Sequence, residues 1–85
     1  MNEILKEAET WMNDSKYALA LETLSLGMEK LREENSTVAV INIIHRISTF
    51  CNGELMNGSP DAERQGYLLR CNSRCWELLL EFVGQ

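Results

Sequence analysis

The stretch EILKEAETWMNDSKYALALETLSLGMEKLREE, residues 3–34, decides the fold predicted for this chain. Its apolar residues recur at steps of three and four, which is the spacing of one face of an α-helix. They form two runs, and the polar residues 13–15 separate them. We therefore predict one helix over 3–13 and a second over 16–34, joined as a tight hairpin. The repeating positions are Ile4, Ala8, Trp11, Tyr17, Ala20, Leu21, Leu24, Gly27 and Met28.

Two more helices are predicted downstream. Residues 38–51 are rich in β-branched side chains that would suit a buried strand. Their apolar positions nevertheless continue at helical steps, and no convincing second strand exists to pair with them, which favours a buried helix. The segment 53–58 is predicted to be a loop because two Asn-Gly pairs overlap it. Ser59 and Pro60 then predict the start of the last helix, which should end near Val83.

The last helix carries a wide apolar arc, about half of its circumference. Its predicted core stripe is Leu68, Cys71, Cys75, Leu78, Leu79 and Phe82, and the arc is widened by Leu69, Trp76, Leu80 and Val83. The predicted fold is thus a single all-α domain of four helices. A domain of 85 residues buries a smaller share of its surface than a large domain does, so a partner chain could contribute to its stability.

The charge of the chain is −5, and most of the excess lies in its first part. Residues 1–35 hold eight acids and four bases, a net of −4. Because the chain has no basic stripe, nucleic-acid binding is not expected. Its apolar runs are too short to span a membrane, and no export signal is visible, so a cytoplasmic protein with a protein partner, or a homodimer, is expected.

Residues 4–34 resemble a tetratricopeptide repeat, a 34-residue helical hairpin with large, small and aromatic residues at set places. The places that match are Ile4, Ala8, Trp11, Tyr17, Ala20, Leu24 and Gly27. Glu7 departs from the pattern, which has Leu there, and Arg32 stands where it has Pro. The resemblance implies binding of protein segments, and small secretion-type chaperones offer an analogy. A weaker resemblance links the hairpin to MIT adaptor domains.

The residues with chemical potential are three cysteines and one histidine. Cys51, Cys71 and Cys75 with His45 could supply four ligands to zinc. The cysteines also occupy apolar stripes, where a reduced thiol behaves as a small core residue, and this is the favoured interpretation. No nucleophile or acid–base motif surrounds His45. We therefore expect no enzyme activity, no catalytic residue, no metal and no cofactor.

The remaining candidates are four large apolar residues outside the main stripes: Leu19, Leu26, Leu55 and Met56. Leu19 and Leu26 lie on the helix face opposite the main stripe, so either a later helix or a partner must cover them. Burial by the chain's own helices is the simpler expectation. The alternative is that these residues bind a partner. The predicted function is a small acidic interaction module, a chaperone or adaptor for an amphipathic helix, and the alternative is an acidic inhibitor or immunity-type protein.

Overall fold

The computed structural model describes residues 2–84, and all regular structure in that range is α-helical. The five helices are α1 (Glu3–Asn13), α2 (Tyr17–Leu26), α3 (Met28–Glu33), α4 (Thr37–Asn57) and α5 (Ala62–Val83). The prediction of an all-α fold is confirmed. None of these helices combines the length and the apolar composition needed to cross a membrane.

The helices form two hairpins that share one core. α1 packs against α2, α4 packs against α5, and the hairpins meet where α2 contacts α5 and α1 contacts α4. The assembly measures 40 × 24 × 17 Å. The β-branched segment 38–51 is helical, as predicted, and its apolar positions face the core. Its buried residues are Val40, Ile43, Ile44, Ile47 and Cys51, and they meet Leu68, Cys71, Cys75, Leu78 and Phe82 of α5.

The predicted second helix is divided in the structure. A one-residue turn at Gly27 separates α2 from α3, so the single helix predicted over 16–34 is wrong. Position 27 also lies close to α1. A Cβ atom at position 27 would stand 2.6 Å from Cδ1 and 2.9 Å from Cγ2 of Ile4. Glycine therefore allows α1 to approach the chain at this point more closely than any other residue would.

The turns before α2 and α4 share one geometry. Ser15 and Asn35 have φ values of 61° and 56°, and each follows the C-terminus of a helix. At the first turn, the N–H groups of Ser15 and Lys16 donate to the carbonyls of Met12 and Trp11, which is the Schellman pattern. The hydrogen bonds after α3 follow the same pattern. Lys16 holds the N-cap position of α2 without a side-chain hydrogen bond, so neither Asp14 nor Ser15 caps this helix.

The connection between α4 and α5 is shorter than predicted. α4 continues to Asn57, so the loop expected over 53–58 is wrong. Two side chains of this extra helical segment have tertiary partners: Glu54 bonds to other helices, and Leu55 packs against the core. α5 then begins after Asp61, whose carboxylate accepts the N–H of Arg64 at 2.8 Å. Asp61, and not Ser59, is therefore the cap of the last helix.

Candidate protein-interaction site

α2 and α3 run parallel to α5 in one fixed register. Three hydrogen bonds join them, and each bonded pair is 49 positions apart: Ala18 N–H to Tyr67 Oη at 3.0 Å, Arg74 Nη2 to Ser25 Oγ at 3.1 Å, and Arg32 Nη2 to the carbonyl oxygen of Glu81. Successive pairs are seven residues apart, which is the heptad period of two helices packed side by side. The turn at Gly27 does not break this register.

The first of these hydrogen bonds, between Ala18 and Tyr67, also caps the N-terminus of α2. Because Lys16 supplies no cap, the N–H of Ala18 in the first turn of α2 would lack an acceptor in its own segment. The hydroxyl oxygen of Tyr67, on α5, accepts it. A side chain from the last helix therefore caps a helix in the first hairpin.

A groove opens between the first two bonded pairs, where α2 and α5 separate. It encloses about 280 Å³. α2 contributes Ala18, Leu21, Glu22, Ser25 and Leu26, and α5 contributes Tyr67, Arg70, Cys71 and Arg74. Leu21 and Cys71 are buried and form the floor. The seven residues between the bonded pairs correspond to a length of about 10 Å along the helices. We call this feature the α2–α5 groove.

The rim of the groove carries two arginines, Arg70 and Arg74, and one acid, Glu22. Arg74 is engaged by Ser25, and its Nη1 lies 3.8 Å from the carboxylates of both Glu77 and Glu81. Arg70 is exposed and forms no ion pair with a side chain of residues 2–84. Arg70 is therefore the cation that a ligand in the groove could pair with.

A hydrogen-bonded cluster adjoins Tyr67 near the start of α2. The guanidinium of Arg64 bonds to both carboxylate oxygens of Glu54 at 3.1 Å, and the hydroxyl of Tyr17 donates to the same carboxylate at 2.7 Å. The Arg64 guanidinium also lies 5.0 Å from the centre of the Tyr67 ring. Burial, together with the bond to Glu54, raises the pKa of Tyr17 to about 12.

The three thiols are buried, and none forms a disulfide. The interaction between the buried Cys51 and Cys71 thiols lowers the pKa of Cys71 and raises that of Cys51. Burial raises the pKa of Cys75 to about 12. Within residues 2–84, no three His, Cys, Asp or Glu side chains lie close enough together to hold a metal ion. His45 is exposed.

The four residues singled out from the sequence are separated by the fold. Leu26 is 82% exposed and lines the groove, and Leu19 is 40% exposed one heptad earlier. The expectation that the chain's own helices cover these two leucines is therefore wrong. Leu55 packs against the core, while Met56 is 82% exposed near the end of α4, outside the groove. A role for all four in partner binding stays a prediction.

A second exposed apolar surface lies on α5, beside the predicted core stripe. Leu69, Trp76, Leu80 and Val83 widen the apolar arc of α5, but they are 53%, 62%, 71% and 67% exposed. α5 carries two adjacent apolar stripes, of which the inner one is buried in the core, while these four residues face solvent. The sequence already contains the second stripe, because its residues follow the same heptad spacing as those of the inner stripe.

In comparisons with known proteins, no family model, no curated protein and no solved structure matches this chain.

Proposed function

We propose that this protein is a small protein-interaction module that holds an amphipathic helical segment of a partner protein in the α2–α5 groove. The observation that carries the proposal is an open apolar groove with an exposed leucine, Leu26, on its rim. Apolar depressions with exposed apolar rims are typical of surfaces that bind other proteins. We class the protein with binding modules and not with enzymes.

The dimensions of the groove support a helical ligand. A volume of about 280 Å³ is at the lower end of the range for small-molecule pockets, so the groove suits one or two large apolar side chains. Its length of about 10 Å equals two helical turns, and amphipathic helices present their anchors at intervals of three, four and seven residues. Arg70 adds a preference for an acidic residue beside those anchors.

The tetratricopeptide-like hairpin and a role as a cytoplasmic chaperone or adaptor belong to the same proposal. Two observations support the hairpin: α1 packs against α2, and Ala8 and Ala20, which occupy small positions of that pattern, are fully buried. Small residues at a crossing allow close helix packing. An acidic inhibitor is the alternative, and it would bind through the acid-rich residues 1–35.

The test uses a designed helical peptide with leucines at positions i, i+3 and i+7 and a glutamate beside them. Binding is followed by fluorescence anisotropy, and amide chemical shifts map the contact. We expect shifts clustered in residues 18–26 and 67–74, and at least about tenfold weaker binding after Leu26→Ser. Adding Leu19→Ser to that variant should weaken binding further. Leu26→Ser alone should leave the melting temperature nearly unchanged, because Leu26 is 82% exposed.

The matched control is Met56→Ser, since Met56 is as exposed as Leu26 but lies outside the groove. Its binding should equal that of the unmodified protein. A peptide whose leucines are replaced by serine should not bind. Equal binding by the Leu26→Ser and Met56→Ser variants would contradict the proposal. Binding of a basic peptide that disappears with added salt would favour the acidic inhibitor instead.

A further inference from the structure

The last helix is built to pack on two sides. Its inner stripe, Leu68, Cys71, Cys75, Leu78 and Phe82, alternates steps of three and four and is buried in the core. A second stripe with the same alternation runs beside it, with the exposed Leu80 at its edge: Ala62, Gln65, Leu69, Asn72, Trp76, Leu79 and Val83. Steps of three and four are the spacing with which one helix packs along another. The second stripe extends over the whole helix.

α4 continues this surface. Val38, Ile41, His45, Ser48, Asn52 and Leu55 are spaced in the same way, and the hydroxyl of Ser48 donates to the side-chain carbonyl of Asn72 at 2.7 Å. This bond joins the two stripes near their middle. We call the combined surface the outer face. Val38 is 81% exposed and Trp76 is 62% exposed.

The outer face carries no Asp, Glu, Lys or Arg at any of its stripe positions, although a quarter of the chain is charged. Depletion of charge with an exposed tryptophan is the composition of the core of a protein interface. The acids are concentrated elsewhere, because residues 1–35 carry a net charge of −4. Two acidic chains could therefore meet at the outer face with their acid-rich parts turned away from each other.

We infer that the outer face binds a second copy of this chain, with α5 packed antiparallel to its counterpart about a two-fold axis near Asn72. In this register, Leu69 of one protomer meets the partner's Trp76, Gln65 meets the partner's Leu80, and Ala62 meets the partner's Val83. The arrangement is isologous, as the two-fold symmetry of most homodimers requires. Each exposed apolar residue of α5 gains a partner, and the largest side chains lie against smaller ones.

The available area suits a dimer. A 22-residue helix is about 33 Å long, and two helices side by side are about 20 Å wide. The outer face therefore offers about 650 Å², close to the ~800 Å² that each partner contributes to a standard interface. A single partner helix would cover only about half of it. The inference does not depend on the α2–α5 groove, because the groove lies on the other side of α5.

The test measures the oligomeric state of the purified chain by sedimentation velocity. We expect a dimer, and we expect Trp76→Asp and Leu80→Asp each to weaken dimerisation about tenfold or more. Circular dichroism verifies that each variant remains helical, and the two variants guard against the misfolding of one. Leu26→Asp, at an exposed leucine outside the outer face, should remain dimeric. A chain that is monomeric at all concentrations, or a dimer that survives both substitutions, would overturn the inference.

A second measurement tests the register. The double variant Ala62→Cys with Val83→Cys is oxidised mildly, and the cross-linked peptides are identified by mass spectrometry. Antiparallel packing joins position 62 of one protomer to position 83 of its partner. Cross-links between identical positions would indicate parallel packing and overturn the proposed register.

Discussion

Replacing Gly27 by alanine should destabilise the protein, although alanine is the better helix former. The turn at Gly27 has φ −95° and ψ 10°, values that alanine can adopt, so the backbone does not oppose the change. The obstacle is the side chain of Ile4. The new Cβ atom would lie 2.6 Å from Cδ1 and 2.9 Å from Cγ2 of that residue. Rotation of the terminal methyl group relieves only the first contact, so α1 or the whole Ile4 side chain must shift.

The two opposing effects can be compared in magnitude. Alanine gains about 0.4–1 kcal/mol over glycine at this turn, because the unfolded chain loses less backbone entropy on folding. Forcing an extra carbon into a packed site costs about 1–3 kcal/mol. We expect a net loss of about 1 kcal/mol in the free energy of unfolding, which corresponds to a fall of about 4–8 °C in melting temperature for a domain of this size.

Urea unfolding followed by far-ultraviolet circular dichroism measures this change against two references. Gly53, within α4, has no atom within 4 Å of the position a Cβ would take, so Gly53→Ala should stabilise by about 1 kcal/mol. In a protein that already carries Ile4→Ala, the change Gly27→Ala should also stabilise, because the obstructing side chain is gone. Stabilisation by Gly27→Ala in the unmodified protein would refute the close approach of α1 to this turn.

Three further predictions follow from the turns, the tyrosine cluster and the thiols. Ser15→Gly and Asn35→Gly should each raise the free energy of unfolding by about 0.5–1 kcal/mol, because glycine adopts a positive φ without strain. A lower melting temperature of either variant would contradict the Schellman geometry of these turns. Burial and the bond to Glu54 raise the pKa of Tyr17 from 10.0 to about 12. The contribution of this tyrosine to the free energy of unfolding is therefore fully present below pH 10, and it should be lost as the pH rises towards 12. Tyr17→Phe should make this alkaline fall shallower, and an unchanged slope in unfolding experiments from pH 9 to 12 would argue against the assignment. Iodoacetamide should modify Cys71, on the floor of the groove, before it modifies the more deeply buried Cys75. Mass spectrometry follows the order of labelling, and the reverse order would count against an open groove.

Much of the architecture could be predicted because amphipathic spacing is a local property. The bounds predicted for α1 agree with the structure, and the β-branched segment 38–51 is helical, since its helical steps outweigh its strand propensity. The wrong predictions concern segments whose structure depends on contacts with residues distant in the chain, because such contacts leave no local pattern in the sequence. The segment ending at Asn57 remains helical through contacts of Glu54 and Leu55 with other helices, and α2 receives its cap from Tyr67 on α5.

The sequence by itself determined that the chain is all-α and which helix faces are apolar, because helix periodicity and binary pattern depend only on neighbours along the chain. It also identified the inner stripe of α5, since Leu68, Cys71, Cys75, Leu78 and Phe82 are buried as predicted, but it could not determine that the second stripe of α5 remains largely uncovered. Both have heptad spacing, and only the packing of α4 and α2 against α5 leaves Trp76 and Leu80 in solvent while Leu78 is buried. The α2–α5 groove was equally beyond the sequence. It exists because two helices distant in the chain run parallel, held by hydrogen bonds between residues 49 positions apart, and separate between two of those bonds.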